Sequence, residues 1–264
     1  MYATNYHRAS SVADALRLKG ASDEAKYVSG GMTLIPTMKQ RLAAPSDLVD
    51  LRHIAEMKGI TVSGGRVRIG AGTTHAEVAQ SAEIKAACPA LAHLASLIGD
   101  PQVRHMGTIG GSIANNDPAA DYPSAMLALA ATIVTDRREI AADDFFTGLF
   151  ETALQDDEIV VAVTFAPPER AGYSKFPNPA SRYAMTGVFV AKGPGGVRVG
   201  VTGAGANGVF RHAAMEAALT GNFSAQALSG VTTDPSELLS DIHGSAEYRA
   251  NLVNVMARRA VAAA

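Results

Sequence analysis

Residues 97–123, LIGDPQVRHMGTIGGSIANNDPAADYP, constrain this chain more than any other stretch. A glycine pair, two asparagines, three aspartates and three prolines stand there between hydrophobic segments. Glycines let a backbone approach a neighbour closely, short polar side chains bond locally, and prolines stiffen the path. Such a segment is either an elaborate turn or backbone wrapped around a ligand. Two other glycine junctions bear on the choice.

The first is VSGGMTLIPTMK, residues 28–39, where Gly30 and Gly31 lie between a short strand and a helix. Absent side chains there expose backbone N–H groups, and Met32 and Thr33 follow at a helix N-terminus, which favours an anion. A tight turn without a ligand fits the same residues. Pro36 agrees with a helix capped by Thr33, because a first-turn N–H has no intrahelical partner. The second junction is IGAGTTH, residues 69–75, a strand entering a turn. Thr73 and Thr74 suit either a helix cap or a phosphate contact, and Thr74 with Glu77 has capping-box spacing. His75 is the nearest titratable group. In the third junction, Thr108, Gly110, Gly111 and Ser112 repeat the pattern of hydroxyls and bare backbone, and Asp121 offers a carboxylate to a sugar-type hydroxyl.

Around these junctions the periodicity predicts an α+β chain. SSVADALRLKG reads as a helix capped by Ser10 or Ser11 and ended at Gly20, and AKYV as a short strand. VRIG, ATIVTD and EIVVAVTF read as strands, and CPALAHLASLIG as a helix. APPERAG marks a boundary near residue 168. Beyond it, YAMTGVFVAK and GVRVGVTGAG read as neighbouring strands, followed by two or three helices ending in SAEYRANLVNVMARRAVAAA. The expected division is a lobe over 1–55, a second over 56–168 and a C-terminal sheet-plus-helices domain over 169–264.

Composition removes several functions. With 23 Lys and Arg against 25 Asp and Glu, the charge of −2 gives no broad surface for nucleic acid. A single cysteine, Cys88, excludes a four-cysteine metal or iron–sulfur site within the chain. The start, MYATNYHRASSVADAL, lacks the apolar run of a signal peptide. The apolar run at residues 125–134 has about half the length that spans a bilayer, so a cytoplasmic protein with no membrane-spanning segment is expected. None of the three junctions has the GxGxxG or GxxxxGK[ST] pattern. No calcium-loop spacing, GxSxG elbow or HExxH motif is present, and no metal site is expected. Backbone and hydroxyl recognition of a long, phosphate-bearing cofactor remains.

SGGMTLIPTMKQRLAAPSDLVDL, VRIGAGTTHAEV and LASLIGDPQVRHMGTIGGSIANNDPAADYPSAMLALAATIV resemble the FAD-binding medium subunits of molybdenum hydroxylases. That group includes aerobic carbon monoxide dehydrogenase, and the flavin domain of xanthine dehydrogenase is related. The likeness runs through essentially the whole chain. It implies a two-lobed FAD-binding fold of the PCMH type, followed by a C-terminal antiparallel sheet with helices. It also implies noncovalent FAD. Carried over residue by residue, Ser29, Gly30, Gly31, Met32, Thr33 and Leu34 match the first pyrophosphate loop, and Gly72 and Thr73 a cofactor-facing turn. Thr108, Gly110, Gly111, Ser112 and Ala114 match the second loop, and Asp121 the ribityl or ribose contact. Lys175, in GYSKF, matches a basic position near the flavin ring, and an ordinary surface lysine fits it equally.

The implied chemistry is electron transfer without a catalytic residue of the chain's own. A small partner with two [2Fe-2S] clusters would feed the flavin, and a large partner would hold the molybdenum cofactor and the substrate. The expected assembly is a dimer of heterotrimers that reduces an external electron acceptor. The alternative is a self-contained FAD-dependent oxidase or dehydrogenase, which needs a base among groups such as His75, His105, Tyr173 and Tyr183. A scaffold with empty glycine loops is the non-enzymatic reading.

Overall fold

A computed structural model describes residues 1–264. Three main sheets follow one another along the chain. The first is parallel, with strand Asp47–Asp50 between Asn5–Arg8 and Lys26–Val28. Parallel neighbours need crossovers, and helices Val12–Lys19 and Leu34–Lys39 lie within them. Ser11, not Ser10, caps the first helix, its side chain accepting from the Asp14 amide. Thr33 occupies the N-cap of the second without a side-chain bond, and Pro36 falls in its first turn as expected.

The second sheet is antiparallel. Its strands run in the order Ile60–Ser63, Arg66–Gly70, Val160–Phe165, Thr132–Thr135 and Glu139–Ala141. The long excursion between Gly70 and Thr132 holds the helical layer. There the constraining segment is mostly helical: Pro101–Met106, Ile109–Asn115 and Tyr122–Ala128 are short helices. Asp100 caps the first of these with Pro101 at its opening position, and Thr108 caps the second. The capping box at Thr74 and Glu77 forms in full.

The third sheet orders Arg170–Pro177, Ala184–Gly193, Gly196–Thr202 and Phe210–Arg211, all antiparallel. The first eight residues of Ala184–Gly193 are buried without alternation, because both faces of the strand are covered. Helix Ala246–Ala262 packs on it, and helix Tyr122–Ala128 packs on it from the second sheet's segment. Gly172 and Gly200 permit this: a Cβ on either would collide with the backbone of Ala260 or Ser124.

The largest apolar cluster, 37 buried residues, runs from Ala9 through the second sheet to Phe189 and Ala191, so it joins all three sheets. A separate cluster of 16 lies mainly between the third sheet and its helices. No helix is long and apolar enough to cross a membrane.

Candidate functional site between the lobes

A cleft of about 570 Å³ opens between the first two sheets. Two glycine loops, one from each, meet along it. They meet closely because Gly30 has no side chain: a Cβ there would lie 2.6 Å from the Gly107 Cα and collide with the Met106 carbonyl. A hydroxyl pair adds a polar link, with Ser29 Oγ 3.0 Å from Thr108 Oγ1.

The two loops offer different chemistry. The backbone N–H groups of Gly30, Gly31, Met32 and Thr33 are taken up by no other protein group. Gly31 holds a positive φ of 71°, which turns the chain into the helix that follows. These four border the cleft, so the first loop presents a run of free amides at a helix start, a cradle for an anion. In the second loop, the Ile109 amide donates to Thr73 O at 3.1 Å and the Gly110 amide to Ala71 O at 2.9 Å. The Gly111 amide goes to Thr108 Oγ1 at 3.2 Å. This loop therefore contributes hydroxyls and bare surface. Gly110 accommodates Ala71, and Gly111 leaves the wall open, its nearest neighbour to an added Cβ being Thr108 Oγ1 at 3.0 Å.

Ser29, Gly30, Gly31, Met32, Thr33, Leu34, Thr108, Gly110, Gly111, Ser112, Ala114 and Asp121 all border the cleft. Gly72, Thr73 and Lys175 do not. Thr73 is 2% exposed, and its carbonyl holds the second loop through the Ile109 amide. Gly72 passes behind it, its amide bonded to Met57 O at 2.7 Å.

Lys175 is no surface lysine. Its side chain is 4% exposed, and Nζ donates to both oxygens of Asp121, at 2.9 and 3.1 Å, and to Leu97 O at 2.9 Å. The hydroxyl of Tyr173 donates to the same carboxylate. Burial pushes the Asp121 carboxyl above its ordinary value, while Lys175 and Tyr173 pull it back. Asp121 thus joins the cleft wall to the third sheet by a buried ion pair.

The far end of the cleft was not legible in sequence. Leu154, Glu158, Ile159 and Val160 border it beside Tyr27, and the strand that begins at Val160 reads only as core. Glu158 is locked by Arg138, whose Nη2 lies 2.7 Å away, and that bond above all lowers its pKa from 4.5 to about 2. Tyr183, half exposed, also borders the cleft, with Arg182 and Ser181.

His75, His105, Tyr173 and Tyr183 do not converge as a catalytic set. His105 is exposed, with Nδ1 2.7 Å from Pro101 O, and Tyr173 is committed to Asp121. The stretch GAGANG, residues 203–208, has dinucleotide-fingerprint spacing, yet it joins strand Gly196–Thr202 to strand Phe210–Arg211. No helix N-terminus follows its glycines, so it lacks the anion site that the fingerprint requires.

This architecture defines a protein that holds an extended, phosphate-bearing cofactor between two lobes. Residues 2–168 match the FAD binding domain in molybdopterin dehydrogenase. The carbon monoxide dehydrogenase medium chain of Hydrogenophaga pseudoflava is 33% identical, over 98% of this chain and 96% of its own length. The nicotine 6-hydroxylase medium subunit of Paenarthrobacter nicotinovorans is 34% identical over the same shares. The reconstituted carbon monoxide dehydrogenase from Oligotropha carboxidovorans superposes with a TM-score of 0.89 at 34% identity, covering 100% of this chain and 98% of that one. The chain belongs to the FAD-binding medium subunits of the molybdenum hydroxylases. Its cofactor is FAD. The residues fit that group: free amides suit a diphosphate, and hydroxyls with an uncluttered wall suit the rest of an elongated molecule.

Proposed function

We propose that this chain takes electrons from the iron–sulfur clusters of a small partner subunit into FAD and delivers them to an external acceptor. A large partner carries the molybdenum cofactor and the oxidation site, and two heterotrimers form the working dimer in the cytoplasm. The free amides of residues 30–33, facing a hydroxyl-bearing second loop across the cleft, carry this reading. Bound FAD supplies the capacity to accept and release electrons singly or in pairs. The protein binds and orients it. Residues 30–33 offer their backbone amides to the diphosphate, and Gly111 with Ser112 form the opposite wall. Gly72, Thr73 and Lys175 act from behind, the first two by fixing the second loop and Lys175 by fixing Asp121. In this reading residues 1–55 and 56–168 are the two cofactor lobes, and 169–264 is the domain that braces them.

The chain's own chemistry supports delegation of substrate oxidation. Cys88, the single cysteine, is fully buried, and burial pushes its thiol up to about 12. Purification of the natively expressed protein tests the proposal. Flavin, molybdenum and iron are expected together with one larger and one smaller chain. A solitary yellow protein that oxidises an organic substrate unaided would overturn it in favour of an independent flavoenzyme.

A further inference from the structure

His75 follows the second glycine junction and borders the cleft, yet it is only 5% exposed. Its backbone amide donates to Gly107 O at 3.0 Å, and its ring rests on that glycine. A Cβ at residue 107 would stand 2.6 Å from His75 Nε2, so Gly107 is glycine because the imidazole occupies that space. The other nitrogen, Nδ1, is sealed in the interior without a hydrogen-bond partner, and so is the hydroxyl of Tyr122. The two rings lie 5.4 Å apart, centroid to centroid. Buried polar groups left unpaired are rare and call for a partner.

We propose that His75 is a cofactor-binding residue: a neutral imidazole whose Nε2–H donates to an oxygen of the diphosphate–ribityl part of FAD. The tautomer follows from the interior side. Nδ1 is buried without a partner, as is the Tyr122 hydroxyl, and a phenol that donates needs an acceptor, so the assigned tautomer leaves Nδ1 as the acceptor. With Nδ1 an acceptor, the ring proton stands on Nε2, which lies against the cleft-wall residue Gly107. The first loop serves the cofactor with backbone amides, and His75 adds a side-chain donor to a second loop whose Ile109, Gly110, Gly111 and Ser112 amides are already bonded. This inference rests on the FAD reading above.

The test uses the purified native assembly, stripped of flavin and titrated with FAD, as wild type, His75→Phe and His75→Gln. His75→Phe keeps a ring and loses the donor, and FAD should bind about tenfold more weakly. His75→Gln returns an N–H donor and should recover most of that affinity, with the flavin-free forms melting alike. Equal FAD affinity in wild type and His75→Phe overturns the inference. So does a weak His75→Gln whose flavin-free form melts as low as that of His75→Phe, because the role is then structural. A crystal structure of the FAD-bound wild type decides without any variant: a cofactor oxygen within about 3.2 Å of Nε2 is expected, and none there contradicts the assignment. Wild type that takes up no FAD at all would instead sink the function proposed above.

Discussion

Two buried ionic groups at the cleft wall behave differently, and both are testable. Lys175 keeps its ammonium in the interior only because Asp121 and a carbonyl hold it. Asp121→Ala strands that charge, which costs about 3 kcal/mol of folding stability in a buried pair. A simple sugar-contact role would instead weaken flavin retention alone. Adding Lys175→Met to Asp121→Ala should restore most of the melting temperature, since an apolar side chain tolerates the vacated site. Single and double variants that melt alike would show the pair to be dispensable. Glu158 makes the opposite case. Its folded pKa is depressed from 4.5 to about 2, first by the Arg138 bond. Stability from that bond is complete above pH 4.5 and is lost as pH falls towards 2. Glu158→Gln should lose about 2 kcal/mol at neutral pH and melt with a flatter acid profile than wild type. Parallel profiles would place the acid sensitivity elsewhere. Neither pairing was legible in sequence. Lys175 and Asp121 stand 54 residues apart, and a lysine in GYSKF carries no mark of burial.

The glycine loops are where the sequence spoke most clearly and where it blurred two roles. The pairs at 30–31 and 110–111 stood out in the sequence, and so did the strand and helix around the first. Which glycines serve the fold and which face the cleft depends on contacts across the chain. Gly30 and Gly110 serve packing: a Cβ on the first strikes the backbone at residues 106–107, and on the second the Ala71 residue. Gly30→Ala should therefore lower the melting temperature even without flavin, by about 1–3 kcal/mol of overpacking strain. An unchanged melting temperature with lost FAD would place its role in the cleft instead. The three short helices within residues 101–128 were also hidden, because each has only six or seven residues and depends on caps and tertiary packing.

Across the whole molecule, the parallel first sheet, the antiparallel second and the C-terminal sheet agree with the α+β architecture that motif and periodicity suggest. Two strands of the third sheet, Ala184–Gly193 and Gly196–Thr202, were legible because long apolar runs separated by a glycine turn have few other solutions, whereas Arg170–Pro177 and Phe210–Arg211 carry no such run. How the sheet docks was not legible, since its coverage depends on a helix from the second sheet's segment. In the proposed function, substrate choice lies with the large partner. A carbon monoxide dehydrogenase medium chain and a nicotine hydroxylase medium subunit are related to it at 33% and 34% identity, over the same 98% of its length. What the family model shows in this chain is a place for FAD, matched over residues 2–168. The most direct test of that place is FAD titration of the flavin-stripped native assembly, comparing wild type with Gly111→Val. Wild type should take up one FAD per chain and show the oxidised-flavin spectrum. Gly111→Val should stay folded and remain colourless, because its side chain fills the wall opposite the free amides. Full, equally tight flavin uptake by the folded variant would contradict the account.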